Sequence, residues 1–370
     1  MKIGILTFHR SQNYGAQLQA YALRKYLESL GYESFIIDYW PDYRKERYRL
    51  FSKEEFSKLS FVGKIIYTYS KIFTCIRFHK RNSATEYFAN QYLNVKNTAD
   101  VDIAVYGSDQ IWRKFSRANF KSFDPVFFGE GFVSARRKIS YAASMGQVAF
   151  KSAEDKSFFH ARMENFDAIS VREKDLQQYL LDEFKIYASK VCDPTLLLAS
   201  EQWLDIVDER FIPSYDYILY YRLQPLSYAD EFVKRLANEK KLKVIEMRGV
   251  IPPFHYSRRY RLTANAQEFL SLLKGAKYVV SSSFHGVALS IVMRKQFFFI
   301  SADKSANRAM SLLSDINLQS RRVFNPQTHD VQTMIDFLTV QEKMNVLIEK
   351  SREWLQSNLT VPVESKKETK

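Results

Sequence analysis

The first forty residues constrain the fold more than any other stretch. Residues 2–8 form an apolar run that reads as a buried strand. Residues 16–30 carry Leu23, Leu27 and Leu30 at helical spacing and end at Gly31, a helix stop. Residues 34–38 (Ser-Phe-Ile-Ile-Asp) read as the next strand. Strand, helix and strand in this order make a βαβ unit, which requires a parallel sheet covered on both faces.

The same alternation continues. Strands are expected at 102–106, 138–143 and 168–171, with a helix near 175–181. Val191-Cys192-Asp193-Pro194-Thr195 reads as the close of a first domain. A second α/β series follows, with strands at 217–221, 243–247, 278–282 and 296–300 and helices at 228–238, 265–273 and from 287. The expected class is therefore α/β, two Rossmann-like doubly wound domains facing a cleft. The first spans 1–196 and the second 197–330. Residues 330–355 read as mostly helical; the C-terminal helix, 331–360, should pack back across the domains, and 361–370 should fray.

Composition removes several classes. Two cysteines, Cys75 and Cys192, without CxxC spacing, exclude a disulfide scaffold and a cysteine zinc site. No apolar run reaches the ~20 residues of a membrane span, and no leader is evident, so a reduced cytoplasmic protein is expected. The net charge is +14, which invites an anionic partner. Half of it lies in 41–81, where 11 Lys/Arg stand against 4 acids with nine aromatics interleaved. This stretch belongs to a basic helical insertion spanning 41–95. Phe61, Ile65, Ile72, Phe73 and Ile76 recur there at roughly helical spacing. Such a helix can lie peripherally on an anionic membrane or clamp a substrate; the plain alternative is an inserted helical pair with solvated lysines. No nucleic-acid motif is present, so nucleic acid is not an expected partner.

Chemistry is expected where strands switch to loops. His9-Arg10-Ser11-Gln12-Asn13-Tyr14-Gly15 opens a helix and presents backbone N–H groups suited to an anion, without GxGxxG spacing. Asn13 is either a ligand or the N-cap. Asp109, in Gly107-Ser108-Asp109-Gln110-Ile111-Trp112, is either a base or hydroxyl ligand, or a cap; Trp112 is either a sugar platform or packing. Ser282 and Ser283 precede His285 at a helix N-terminus, where a histidine can serve as general acid or base. Arg172, Arg222, Arg248 and Arg308, the last beside Asn307, are candidate anion forks, and Arg258, Arg259 and Arg261 flank the Pro252-Pro253 loop.

Taken together, Asn13-Tyr14-Gly15-Ala16 with Leu18-Gln19-Ala20-Tyr21-Ala22-Leu23, Gly107–Trp112, Tyr141-Ala142-Ala143-Ser144, Ser170-Val171-Arg172-Glu173, Asp193-Pro194-Thr195, Ser283-Phe284-His285-Gly286 and Asn307-Arg308 resemble the polysaccharide pyruvyl transferase family. The motifs span about residues 2–320. The resemblance implies a GT-B-like fold and transfer of a pyruvyl group from phosphoenolpyruvate to a sugar, free or on a lipid-linked oligosaccharide, forming a ketal. It implies no cofactor and no metal. On it, His285 is the acid, Arg172 and Arg308 clamp the anion, Asp109 handles the acceptor hydroxyl, and Asn13, Tyr14, Gly15, Ser282, Ser283, Arg222, Arg248 and Asn307 are candidate substrate contacts. The sequence departs from branches with Arg-Leu-His, having Ser283 in the arginine's place. The alternative on the same architecture is a glycosyltransferase using a nucleotide-sugar.

Overall fold

The computed structural model describes residues 1–115, 120–148, 150, 152–223, 226–249, 259–301 and 306–360. The loop around Pro252-Pro253 with Arg258, and the expected tail 361–370, lie outside them.

The first unit is built from β1 (Lys2–Leu6), α1 (Tyr14–Ser29), β2 (Glu33–Ile37), α2 (Asp42–Arg47), α3 (Lys53–Ser57), α4 (Phe61–Tyr92), β3 (Val95–Lys96), β4 (Asp100–Tyr106), β5 (Ser134–Ala143), α5 (Ala153–Met163), β6 (Ala168–Val171), α6 (Lys174–Phe184) and β7 (Ser189–Lys190). After α7 (Ser200–Trp203), the second unit contains β8 (Tyr217–Arg222), α8 (Ser227–Lys240), β9 (Lys243–Arg248), β10 (Tyr260–Arg261), α9 (Ala266–Gly275), β11 (Tyr278–Ser281), α10 (Phe284–Val292), β12 (Gln296–Phe299) and α11 (Asn307–Asp315). Helix α12 (Phe337–Asn358) follows.

Both sheets are parallel. Their orders are β3-β2-β1-β4-β5-β6-β7 and β10-β9-β8-β11-β12. In each, the chain starts near the centre, works to one edge and then crosses to the other side, which is the Rossmann order. The switch points fall between β1 and β4 and between β8 and β11. At these points adjacent loops diverge and leave a crevice at the strands' carboxyl ends. This topology makes the fold two doubly wound α/β units. Strand β8 is buried along its whole length, as covered parallel strands must be.

Helix α1 is buried over 13 of its 16 residues, because it lies between its own sheet and α9 of the second unit. Its polar side chains are satisfied internally. Gln17 donates to the His9 and Thr85 carbonyls, and Gln19 accepts from the Ser108 N–H. Helix α12 starts later than the 330–355 pattern suggests. Asp330 accepts from the Gln332 and Thr333 N–H groups in a turn, and Asp336 caps the helix. Ile335 hydrogen-bonds Gln296 of the second unit, whereas Ser351 and Asn358 bond Cys192 and Arg137 of the first. The strands β3, β7 and β10 are two-residue edges, too short to register as a pattern in the sequence.

Candidate functional site

Carboxyl-end loops of the first sheet converge on the loops after β11 and β12 of the second. After β4, Gly107 has φ +126° and a Cβ there would lie 2.2 Å from the Tyr141 carbonyl oxygen. Only glycine lets the chain turn this close to β5. Thr7 and Gln19 hold Ser108 through its backbone. Asp109 follows in the left-handed region, φ 71°, and is nearly buried. A non-glycine residue there marks a locally constrained loop.

After β6, Arg172 is buried among three carboxylates. Its Nη1 donates to Asp193 Oδ2 at 2.5 Å and its Nε to Glu173 Oε1 at 3.2 Å, while Nη2 lies 3.9 Å from Asp109 Oδ1. Asp193 also accepts from Ser108 Oγ at 3.2 Å and from the Thr195 N–H and hydroxyl at 3.0 and 2.8 Å. Ser144 donates to Glu173 Oε1 at 2.7 Å. From the second unit, His285 enters in the first turn of α10, its Nε2 3.5 Å from Asp193 Oδ2. The Arg172 guanidinium lies 4.9 Å over the Phe284 ring.

Burial and charge compete at each carboxylate. Burial raises Asp193, but His285, Arg172 and the Thr195 N–H outweigh it and hold the carboxyl well below the usual range. Asp109 is also held low, with burial opposed by Arg172, His285 and Arg308. For Glu173 burial wins, and its carboxyl is pushed up despite Arg172 and Arg308. Burial, with Arg172 adding like-charge repulsion, lowers the Arg308 guanidinium.

Three buried polar atoms here lack a hydrogen-bond partner among the described residues: Arg172 Nη2, Glu173 Oε2 and His285 Nε2. Such atoms are costly unless the site uses them. Arg308, at the start of α11, is half-buried and feels Asp109, Glu173 and Asp193, yet none of these lies within ion-pair distance of it. Among the described residues it is the cation of this cluster without an ion pair.

The other sequence candidates take these places. Asn13 caps α1, accepting from the Gly15 N–H at 3.1 Å and from the Tyr221 hydroxyl at 3.4 Å. Tyr14 stacks on Phe269 at 5.3 Å and packs against Tyr221, wedging the units together. Gly15 lies flat against His285: a Cβ there would meet Nδ1 at 2.2 Å. Ser282 accepts from the Leu223 N–H, Ser283 caps α10 without a side-chain bond, and Asn307 is exposed at the start of α11. Arg222 and Arg248 lie at the carboxyl ends of β8 and β9 with a buried counter-ion, Glu246, at 2.9 and 2.5 Å. Trp112 is packing, fully buried against Phe128 with Nε1 donating to the Phe127 carbonyl. The sequence reading missed Asp193 as the hub. Its signal was an acid just past a short strand with Thr195 two residues on, a capping pattern read as a domain close and as one of the family-like motifs but not as part of the site.

A second concavity, about 170 Å³, lies between the β1–α1 loop and α4. Trp40 and Tyr48, their rings stacked at 5.7 Å, line it with Gln12 and Asn82. Among the described residues no His/Cys/Asp/Glu group suits a metal ion, and no helix is long and apolar enough to cross a membrane.

Comparison with curated sequences finds no match. Among solved structures, the chain is similar to the S. aureus MnaA–UDP co-structure at 12% identity, covering 97% of this chain and 91% of that one, with a TM-score of 0.47. It is also similar to UDP-GlcNAc 2-epimerase from Methanocaldococcus jannaschii at 10% identity, 95% and 94% coverage and a TM-score of 0.46. A glycosyltransferase from Rickettsia africae gives 14%, 97% and 98%, and 0.40. A family model matches residues 13–304. That span includes Asn13-Tyr14-Gly15, Asp109, Arg172, Asp193 and His285, and on its strength the chain belongs to the polysaccharide pyruvyl transferase family.

Proposed function

We propose that the protein moves a pyruvyl group from phosphoenolpyruvate to two hydroxyls of a sugar in a surface-polysaccharide precursor, forming a ketal and releasing phosphate. The observation that carries this is the buried cluster in which Asp193 joins Arg172 Nη1 of one unit to His285 Nε2 of the other, with Arg172 Nη2, on the Asp109 side, lacking a hydrogen-bond partner among the described residues. His285, charge-paired by Asp193, is the proton donor to the methylene carbon, which becomes a methyl group. A sugar hydroxyl adds to the neighbouring carbon and phosphate departs. The second hydroxyl then closes the ketal on the oxocarbenium-like carbon. Phosphate carries away one hydroxyl proton, and the other restores His285.

Arg308 supplies the charge for the donor's phosphate or carboxylate, since Arg172 is largely engaged by Asp193 and Glu173. Asp109, with its carboxyl held low, is a weak base and a strong acceptor, which suits it to orient the attacking hydroxyl. Trp40 and Tyr48 with nearby amides offer an aromatic wall and hydrogen bonds to a sugar ring.

The test is a mass measurement on oligosaccharide acceptor incubated with the protein and either phosphoenolpyruvate or a nucleotide-sugar. A carboxyethylidene gain dependent on phosphoenolpyruvate, lost in His285→Ala, is expected. A hexose gain from the nucleotide-sugar would replace this reading with glycosyl transfer.

A further inference from the structure

Helix α4 is inverted over its first half. The exposed side chains of residues 61–76 are apolar apart from one threonine and include Phe61, Ile65, Ile66, Tyr69, Ile72 and Ile76; none is charged. Phe61 is 79% exposed and Ile76 67%. Lys64, Lys71, Ser70 and Thr74 instead occupy the inner and flanking sides. At about 100° per residue the apolar positions fill one arc of roughly 140°. Sixteen residues make this ridge about 24 Å long. After residue 77 the ordinary pattern returns, with His79, Lys80 and Asn90 exposed and Phe88 and Ala89 buried. Isolated exposed apolar residues need no explanation, but a continuous ridge of this kind marks an interaction surface.

The surrounding charge selects the partner. Lys58, Lys64, Lys71 and Lys80 border the ridge, and 41–81 carries 11 Lys/Arg against 4 acids. A second copy meeting this ridge symmetrically would place like charges together around it. An anionic bilayer accepts both features at once, apolar side chains below the headgroups and lysines among them. We propose that the first half of α4 is an interfacial anchor that lays the protein on an anionic phospholipid surface. The other half of the same helix supplies Asn82, Thr85 and Glu86 to the Trp40–Tyr48 concavity. The anchor thus holds that concavity near the lipid surface. This inference does not depend on the pyruvyl-transfer reading.

The experiment is co-sedimentation of the full chain with phosphatidylcholine vesicles, with and without phosphatidylglycerol. Binding to the anionic vesicles that weakens with salt is expected. Ile72→Glu/Ile76→Glu should lower it by about tenfold or more. Leu338→Glu, at an equally exposed apolar position on α12, should leave it unchanged and serves as the matched control. Absent binding, or equal binding by the double variant, overturns the proposal. So does a concentration-dependent dimer that the double variant abolishes, or capture of single-stranded RNA in place of vesicles.

Discussion

Replacing Gly15 with alanine tests whether α1 and His285 are built as one unit. In an ordinary helix this change adds about 0.5–1 kcal/mol of stability, because it restricts the unfolded chain. Here the new Cβ would lie 2.2 Å from His285 Nδ1, 2.3 Å from Cγ and 2.5 Å from its Cβ. Reaching an ordinary contact of 3.4 Å means a retreat of about 1.2 Å. The imidazole cannot simply rotate away, since its own Cβ is among the atoms struck. The first turn of α10 must move with it. Overpacking of this kind costs about 1–3 kcal/mol, and each kcal/mol lowers Tm by about 2–4 °C in a domain of some 200 residues. A displacement near 1 Å at the proton donor should lower kcat about 100-fold. Unfolding of wild type, Gly15→Ala, His285→Ala and the double variant forms a cycle that does not depend on the assumed reaction. In the His285→Ala background the two ring contacts are gone while the Cβ contact at 2.5 Å stays, so Gly15→Ala should still destabilise, but by measurably less than in the wild type. Equal effects of Gly15→Ala in both backgrounds would refute the packing argument.

Further outcomes follow from burial and charge. Burial pushes the Cys192 thiol up to about 11, so about one molecule in a thousand carries the thiolate at pH 8; a thiol-reactive dye should label Cys75 quickly in the native protein and both cysteines only after unfolding. Trp112→Ala should cost about 3–5 kcal/mol in urea unfolding while leaving acceptor affinity unchanged; a changed affinity at full stability would make it a sugar contact. Glu173 binds its proton more tightly in the fold than its ordinary 4.5, so wild type should lose stability relative to Glu173→Gln as pH rises from about 4.5; parallel stability curves would contradict that sign. Asp193, held low by His285 and Arg172, acts oppositely. Its contribution is present above the unfolded carboxyl range and lost as pH falls through the folded value, and Asp193→Asn should flatten the acid limb.

The alternating pattern exposed the main strands because parallel strands buried on both faces are apolar runs whatever their tertiary neighbours. The strand-end loops were legible for the same reason: a polar cluster directly after a buried run must sit at the sheet's carboxyl edge. Asp109, Arg172 and His285, spread over more than 170 residues of chain, meet because both sheets turn that edge inward. Pairings were not legible. Asn13 offered a cap or a ligand, and that choice depends on which backbone N–H groups lie within hydrogen-bond reach, as the Gly15 N–H does at 3.1 Å.

Charge placement shows the limit most clearly. From sequence, Arg222 and Arg248 are strand-end cations awaiting an anion. Register sets them side by side, Arg222 opposite Arg248, an arrangement that two cations, one buried and one partly buried, cannot hold alone. The period-2 alternation of a strand puts Glu246 on the same face as Arg248, and its carboxylate joins Arg222, Arg248 and Arg259. An anion entering there must compete with a fully buried carboxylate already ion-paired to the arginines. One entering beside Arg308 meets a guanidinium that Asp109, Glu173 and Asp193 influence without pairing. That difference in competition, more than the number of arginines, is the reason we propose the cluster at His285 for a small anion.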